Sequence, residues 1–151
     1  MLVITGTLFF FHFYQAKLYV LCALCGEFPY LCSVMEKFEL HILGCGSALP
    51  TTRHFATSQV VNVRDKLYMI DCGEGSQLQF RKSRLKFSRL NHIFISHLHG
   101  DHCFGLLGLI STLNLLGRTA ELHIHSPKGL EALFVPMLSF FCRQMTYQVC
   151  L

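Results

Sequence analysis

The run Ser96-His97-Leu98-His99-Gly100-Asp101-His102 puts four candidate metal ligands within six residues. In extended chain His97 and His99 project from the same side and can grip one cation together. Gly100 lets the backbone turn, which can aim Asp101 and His102 at a second cation beside the first. Imidazole with carboxylate suits zinc, and manganese or iron is also compatible. From this chain's own His and Asp frequencies the pattern HxHxDH arises by chance at about one start in 240,000, or about one in 1,600 over the chain. Four hydrogen-bonded loop side chains are the bland alternative, and that improbability sets it aside.

Such a cluster needs a scaffold. Leu90 to Ser96 reads as a continuous apolar strand of the kind buried on both faces, delivering the ligands at the mouth of a sheet, where loops usually build sites. Upstream, Phe38 to Leu43 alternates with strand period, and Gly44-Cys45-Gly46-Ser47 with Pro50-Thr51-Thr52 forms a loop. Ser58 to Val63 and Leu67 to Asp71 are strands joined through Arg64-Asp65-Lys66, an antiparallel ribbon that Cys72-Gly73-Glu74-Gly75 ends sharply. A helix is expected over Ser76 to Lys82. Downstream come an apolar helix over Phe104 to Leu116 with Gly117 as C-cap, a strand over Leu122 to His125, a helix over Gly129 to Phe140 in which Pro136 is a kink or early stop, and a strand over Met145 to Val149.

Length allows one domain, and 52% hydrophobic against 15% charged residues excludes wholesale disorder. The net charge of +4 tolerates an anionic partner without demanding one. The eight Cys do not sit in a short loop-rich chain, so they read as reduced thiols, and the lone Cys22/Cys25 pair has no second CxxC to complete a metal site. Residues 1 to 34 carry only Lys17 and Glu27 as charges. They read as a hydrophobic extension outside a domain at 35–151 rather than a membrane anchor, because a spanning helix would bury Lys17, Gln15 and His12.

Two ligands per cation fall short of the three that a catalytic zinc normally takes. His41, His54, His92, His123 and His125 are the remaining candidates, although His123 and His125 read better as an exposed or hydrogen-bonded strand face. Arg81, Lys82, Arg84, Lys86 and Arg89 form a basic stretch that could meet phosphates or be a solvated surface.

HxHxDH after a hydrophobic strand, with the Gly-rich turn and the Asp71-Cys72-Gly73-Glu74-Gly75 segment before it, resembles the metallo-β-lactamase superfamily. Gly44 to Thr51, Ile70 to Gly75 with Gln77 and Gln79, Ile95 to His102, Gly105 to Leu109, Leu116-Gly117-Arg118 and Ser126 to Gly129 look like ribonuclease Z, the tRNA 3′-processing endoribonuclease family. The resemblance covers about Met35 to Val149 and corresponds to the family's N-terminal half. It implies an α/β fold, half of an αββα sandwich with one mixed sheet and helices on one face. It also implies His97 and His99 on one zinc, Asp101 and His102 on a second, Asp101 assisting the attacking water, and Asp71 supporting a ligand from behind. Arg81, Lys82 and Arg84 would contact substrate weakly. Precursor tRNA as substrate and a homodimer in the complete enzyme follow from the same resemblance, and the reduced thiols point to a cytoplasmic location.

The departures are specific. The family's later motifs, with a further His for each zinc and a bridging Asp, have no counterpart before Leu151, and neither does its tRNA-gripping arm. The loop Pro-x-Lys-x-Arg-Asn reads Pro50-Thr51-Thr52-Arg53-His54-Phe55. The other readings are a different metallo-β-lactamase-fold hydrolase, arylsulfatase-like or a phosphodiesterase, and a non-catalytic metal-binding protein. Half a sandwich would leave apolar sheet surface uncovered.

Overall fold

The computed structural model describes residues 2–5, 38–49 and 51–151. Seven strands form one mixed sheet in sequence order: β1 (Leu2–Thr5), β2 (Phe38–Gly44), β3 (Ser58–Val63), β4 (Lys66–Ile70), β5 (Leu90–Phe94), β6 (Leu122–His125) and β7 (Val149–Cys150). The first four run antiparallel to their neighbours, and β4 through β7 are parallel. Of the stretch read as an extension, Leu2–Thr5 pairs with β2 from Leu2 opposite Ile42 to Thr5 opposite Glu39. The rest of it, including the Cys22/Cys25 pair, lies outside the described residues.

The change of direction at β4 follows from the connections. β3 and β4 are joined by a two-residue turn with Arg64 and Asp65 both at positive φ, 52° and 64°, the primed-turn geometry that matches strand twist. Parallel strands need crossovers, and helices supply them: α1 (Ser76–Lys82) between β4 and β5, α2 (Gly100–Cys103) and α3 (Gly105–Leu115) between β5 and β6, and α4 (Leu130–Phe141) between β6 and β7.

All the helices contribute to one core. Val60, Met69, Ile93 and Ile124 from alternate strand positions are buried against Phe80, Leu106, Ile110 and Phe134 of the helices. The opposite sheet face is open, with Ile70 38% and Phe94 40% exposed. The expectation for β5 is corrected here: Leu90 and Ile93 are buried, but His92 is half-buried and Phe94 exposed, because helices cover only one face. The helix expected from Phe104 is preceded by the separate turn α2, so Gly100 begins a helical turn. α4 runs through Pro136 to Phe141 instead of stopping there. The last strand starts at Val149 rather than Met145, since Tyr147 is drawn inward and donates its hydroxyl to the Ile110 carbonyl at 2.9 Å.

The segment Asp71–Gly73 ties these parts together through main-chain bonds. Asp71 N–H donates to Phe94 O, Cys72 N–H to His102 O and Gly73 N–H to Thr57 O, while Gly105 N–H donates to Cys72 O. The start of α3 is therefore pressed onto this segment, and a Cβ on Gly105 would collide with the Gly73 carbonyl oxygen. Gly105→Ala is expected to cost about 2 kcal/mol, the usual range for overpacking against a backbone that cannot yield. Urea unfolding checks this, and an unchanged midpoint would show that the close approach is not needed.

Candidate metal centre

The cluster stands where β5 ends and α2 begins, beside the end of β4. Asp71 leaves β4 in the left-handed region, with φ 57°, a conformation that Asp tolerates better than most residues. That turn carries its carboxylate inward, where the residue is 5% exposed and faces the loop after β5. Ser96 N–H donates to Oδ1 at 2.8 Å, Ser96 Oγ lies 2.9 Å from both carboxylate oxygens, and His102 Nδ1 is 2.8 Å from Oδ2.

Hydrogen-bond chemistry constrains the protons in this network. An ionised carboxylate only accepts, so His102 donates from Nδ1 and Ser96 donates its hydroxyl proton to Asp71. The Ser96 oxygen is then free to accept from His97 Nδ1, 3.0 Å away. His102 thus keeps its Nε2 lone pair, and His97 does so when its Nδ1 donates to Ser96. His102 Nε2 lies 3.5 Å from Asp101 Oδ2, two acceptors facing each other, an arrangement that is favourable when a cation or a proton stands between them. This donor set fits a metal ion: neutral imidazoles held from behind and a carboxylate beside them.

The rings themselves are close. The His97 and His99 centroids are 4.7 Å apart and those of His97 and His102 3.7 Å apart. Among the described residues no three His, Cys, Asp or Glu side chains converge as they would around a bound ion. The three imidazoles thus pack ring against ring, while His99 and Asp101 also line the adjoining cavity.

The other histidines are distributed differently. His54 lines a cavity of about 700 Å³ together with His99 and Asp101, the one reserve candidate brought beside the cluster. His41 is buried near Glu39, at 3.4 Å. On the open sheet face His92 stacks with His123 and His125, centroids 5.1 and 5.5 Å away, and its Nδ1 is 3.2 Å from His125 Nε2, the hydrogen-bonded strand face expected from sequence. Burial, then the neighbouring His123, His125 and Lys66, hold the His92 pKa down.

Sequence reasoning gave no role to Ser96, although its place directly before His97 was the available signal. Within the basic stretch, Arg81, Lys82 and Arg84 are exposed. Lys82 Nζ sits 5.4 Å above the Phe55 ring, whereas Arg89 pairs with Asp65 at 2.8 Å by the β3–β4 turn.

The sheet, its helices on one face and the ligand loop after β5 define a metallo-β-lactamase fold. A Bacillus subtilis protein of that fold superposes with a TM-score of 0.57 over 66% of this chain at 18% identity. The chain belongs to the family described as anti-Pycsar protein Apyc1, whose model matches residues 38–140, and its high-identity relatives are ribonuclease Z proteins. Ribonuclease Z of Bacteroides fragilis (strain YCH46) is 85% identical over 115 residues, 76% of this chain and 38% of that protein, and the Bacteroides thetaiotaomicron one is 84% identical over 76% and 36%. The short form of human tRNase Z superposes with a TM-score of 0.68 at 35% identity, over 73% of this chain and 43% of that one. The chain thus spans less than two fifths of the length of these Bacteroides relatives.

Two outcomes test the centre's chemistry. Asp71→Asn keeps the left-handed turn but presents an amide donor toward His102, so the tautomer is expected to move to Nε2–H. Long-range ¹H–¹⁵N spectra of the imidazoles read this, and an unchanged His102 pattern would remove Asp71 as the orienting group. Burial pushes the Cys72 thiol from an ordinary 9.0 up to about 12. The folded state therefore favours the neutral thiol: its contribution is complete below pH about 9 and is lost as pH rises toward 12, at up to about 1.4 kcal/mol per pH unit. Urea unfolding from pH 8 to 11 is expected to show this fall, and Cys72→Ala to make it shallower, with Cys103, Cys142 and Tyr147, also raised by burial, sustaining the remainder; a native slope identical to the variant's contradicts the assignment.

Proposed function

We propose that this chain supplies the ligand cluster of a zinc-dependent endoribonuclease that removes the 3′ trailer from precursor tRNA. The observation that carries the reading is the network in which Asp71 and Ser96 hold the Nδ1 sides of His102 and His97, with His102 Nε2 facing the Asp101 carboxylate. The name shared by its curated relatives supports it from sequence.

His97 and His99 would hold one zinc, and Asp101 with His102 the other. When bound, zinc supplies Lewis acidity that makes a water more acidic and offsets charge on phosphate oxygens. Asp101 would accept a proton from the attacking water. Asp71 keeps the His102 tautomer fixed so that its Nε2 stays available, a contribution typically worth 10- to 100-fold in metal affinity. Arg81, Lys82 and Arg84 would meet substrate phosphates weakly, as exposed lysines and arginines do. Each zinc would need further ligands to complete its set. The complete enzyme is proposed to be a cytoplasmic homodimer. Among the described residues no helix is long and apolar enough to cross a membrane.

A second reading is a metallo-β-lactamase-fold hydrolase of small phosphodiesters. The family description that matches residues 38–140 is not that of a ribonuclease, and this favours it. A 3′-extended tRNA transcript with added zinc separates the two. In the complete enzyme that carries this segment, cutting at the trailer boundary is expected, abolished by a chelator and reduced at least 100-fold by His97→Ala, with zinc content by equilibrium dialysis falling in parallel. An unaffected His97→Ala would contradict the proposal, and turnover of small phosphodiesters with intact tRNA would favour the second reading.

A further inference from the structure

The cavity that adjoins the cluster is lined by Phe55 and Phe104 as well as His54, His99 and Asp101. Phe104 is 67% exposed and Phe55 38%, and each presents ring surface that the core leaves uncovered. We propose that these rings form a nucleobase subsite, which takes a base of a single-stranded RNA segment while its phosphate lies toward the histidines. The inference rests on the ribonuclease reading and names what that site would hold beside the scissile bond.

Several features hold the rings where a base could use them. The loop carrying Phe55 is fixed to the turn after β2: Gly46 N–H donates to Phe55 O at 2.8 Å, and a Cβ on Gly44 would collide with the carbonyl oxygen of Ala56. Within the loop, His54 N–H donates to Thr51 Oγ1 at 2.9 Å, closing a turn just before Phe55. Phe104 lies over Gly100, where any Cβ would run into its ring, so the first residue of α2 leaves room for it. Both rings are thus set by backbone geometry.

The chemistry of the surroundings selects a base over an aliphatic occupant. Lys82 Nζ, over the Phe55 ring, places positive charge next to the ring and within reach of a phosphate flanking a stacked base. A volume of about 700 Å³ admits a nucleotide, and the same cavity includes His99 and Asp101. Stacking tolerates any base, since every base has a π face, so the subsite would contribute affinity and position without sequence preference.

The test measures fluorescence anisotropy of a labelled RNA hexamer with the 151-residue chain, alongside hexamers carrying one abasic position at each site in turn. For the native chain, one abasic position is expected to weaken binding about tenfold. Phe55→Leu and Phe104→Leu, which keep apolar volume but lose the ring, should each weaken the intact hexamer about tenfold. Each should also make the chain indifferent to that abasic position, while Phe55→Tyr retains native behaviour. An abasic penalty equal in native and Leu variants, the absence of any penalty, or failure of the hexamer to bind overturns the subsite. Trailer cleavage that stays metal-dependent in those cases leaves the ribonuclease reading standing, and loss of both defeats the two together.

Discussion

One carboxylate organises the site. Asp71 accepts the Ser96 amide, the Ser96 hydroxyl and His102 Nδ1 from a position of 5% exposure. A buried carboxylate is expensive unless its lone pairs are satisfied, and here the donors come from the groups that must be oriented. Ser96 links the carboxylate to His97, since its hydroxyl lies 2.9 Å from Asp71 and 3.0 Å from His97 Nδ1. Two imidazoles on either side of one loop are thereby tied to the same carboxylate.

The fold makes this contact possible by turning the chain sharply at the end of β4. The main-chain bonds of Asp71, Cys72 and Gly73 reach β5, the α2 turn and the loop before β3, so the carboxylate is fixed relative to each element that carries a ligand. The bond from Gly105 N–H to Cys72 O brings the start of α3 against the same segment. Precision at the site is thus a property of backbone packing, the kind of support that ligand geometry requires.

Much of this was legible in the residues. HxHxDH announced the cluster by its improbability, and alternating β2, β3 and β4 showed their buried faces through the period of two. The network behind the ligands was less visible, because Ser96 and Asp71 are 25 positions apart and only the parallel pairing of β4 with β5 brings their ends together. The apolar composition of Leu90 to Ile95 suggested burial on both sides, whereas the family resemblance implied helices on one face only, and the structure follows the resemblance. His54 was an undifferentiated candidate until the loop from Thr51 to Ala56 folded against the Gly44–Gly46 turn and put it in the same cavity as His99 and Asp101.

Anomalous diffraction at the zinc edge from zinc-loaded crystals tests the central claim most directly. The account predicts two peaks, one bonded to His97 and His99 and the other to Asp101 and His102, with Asp71 still hydrogen-bonded to His102 Nδ1. Zinc found instead on the His92, His123 and His125 face, or bonded directly to Asp71, would contradict it.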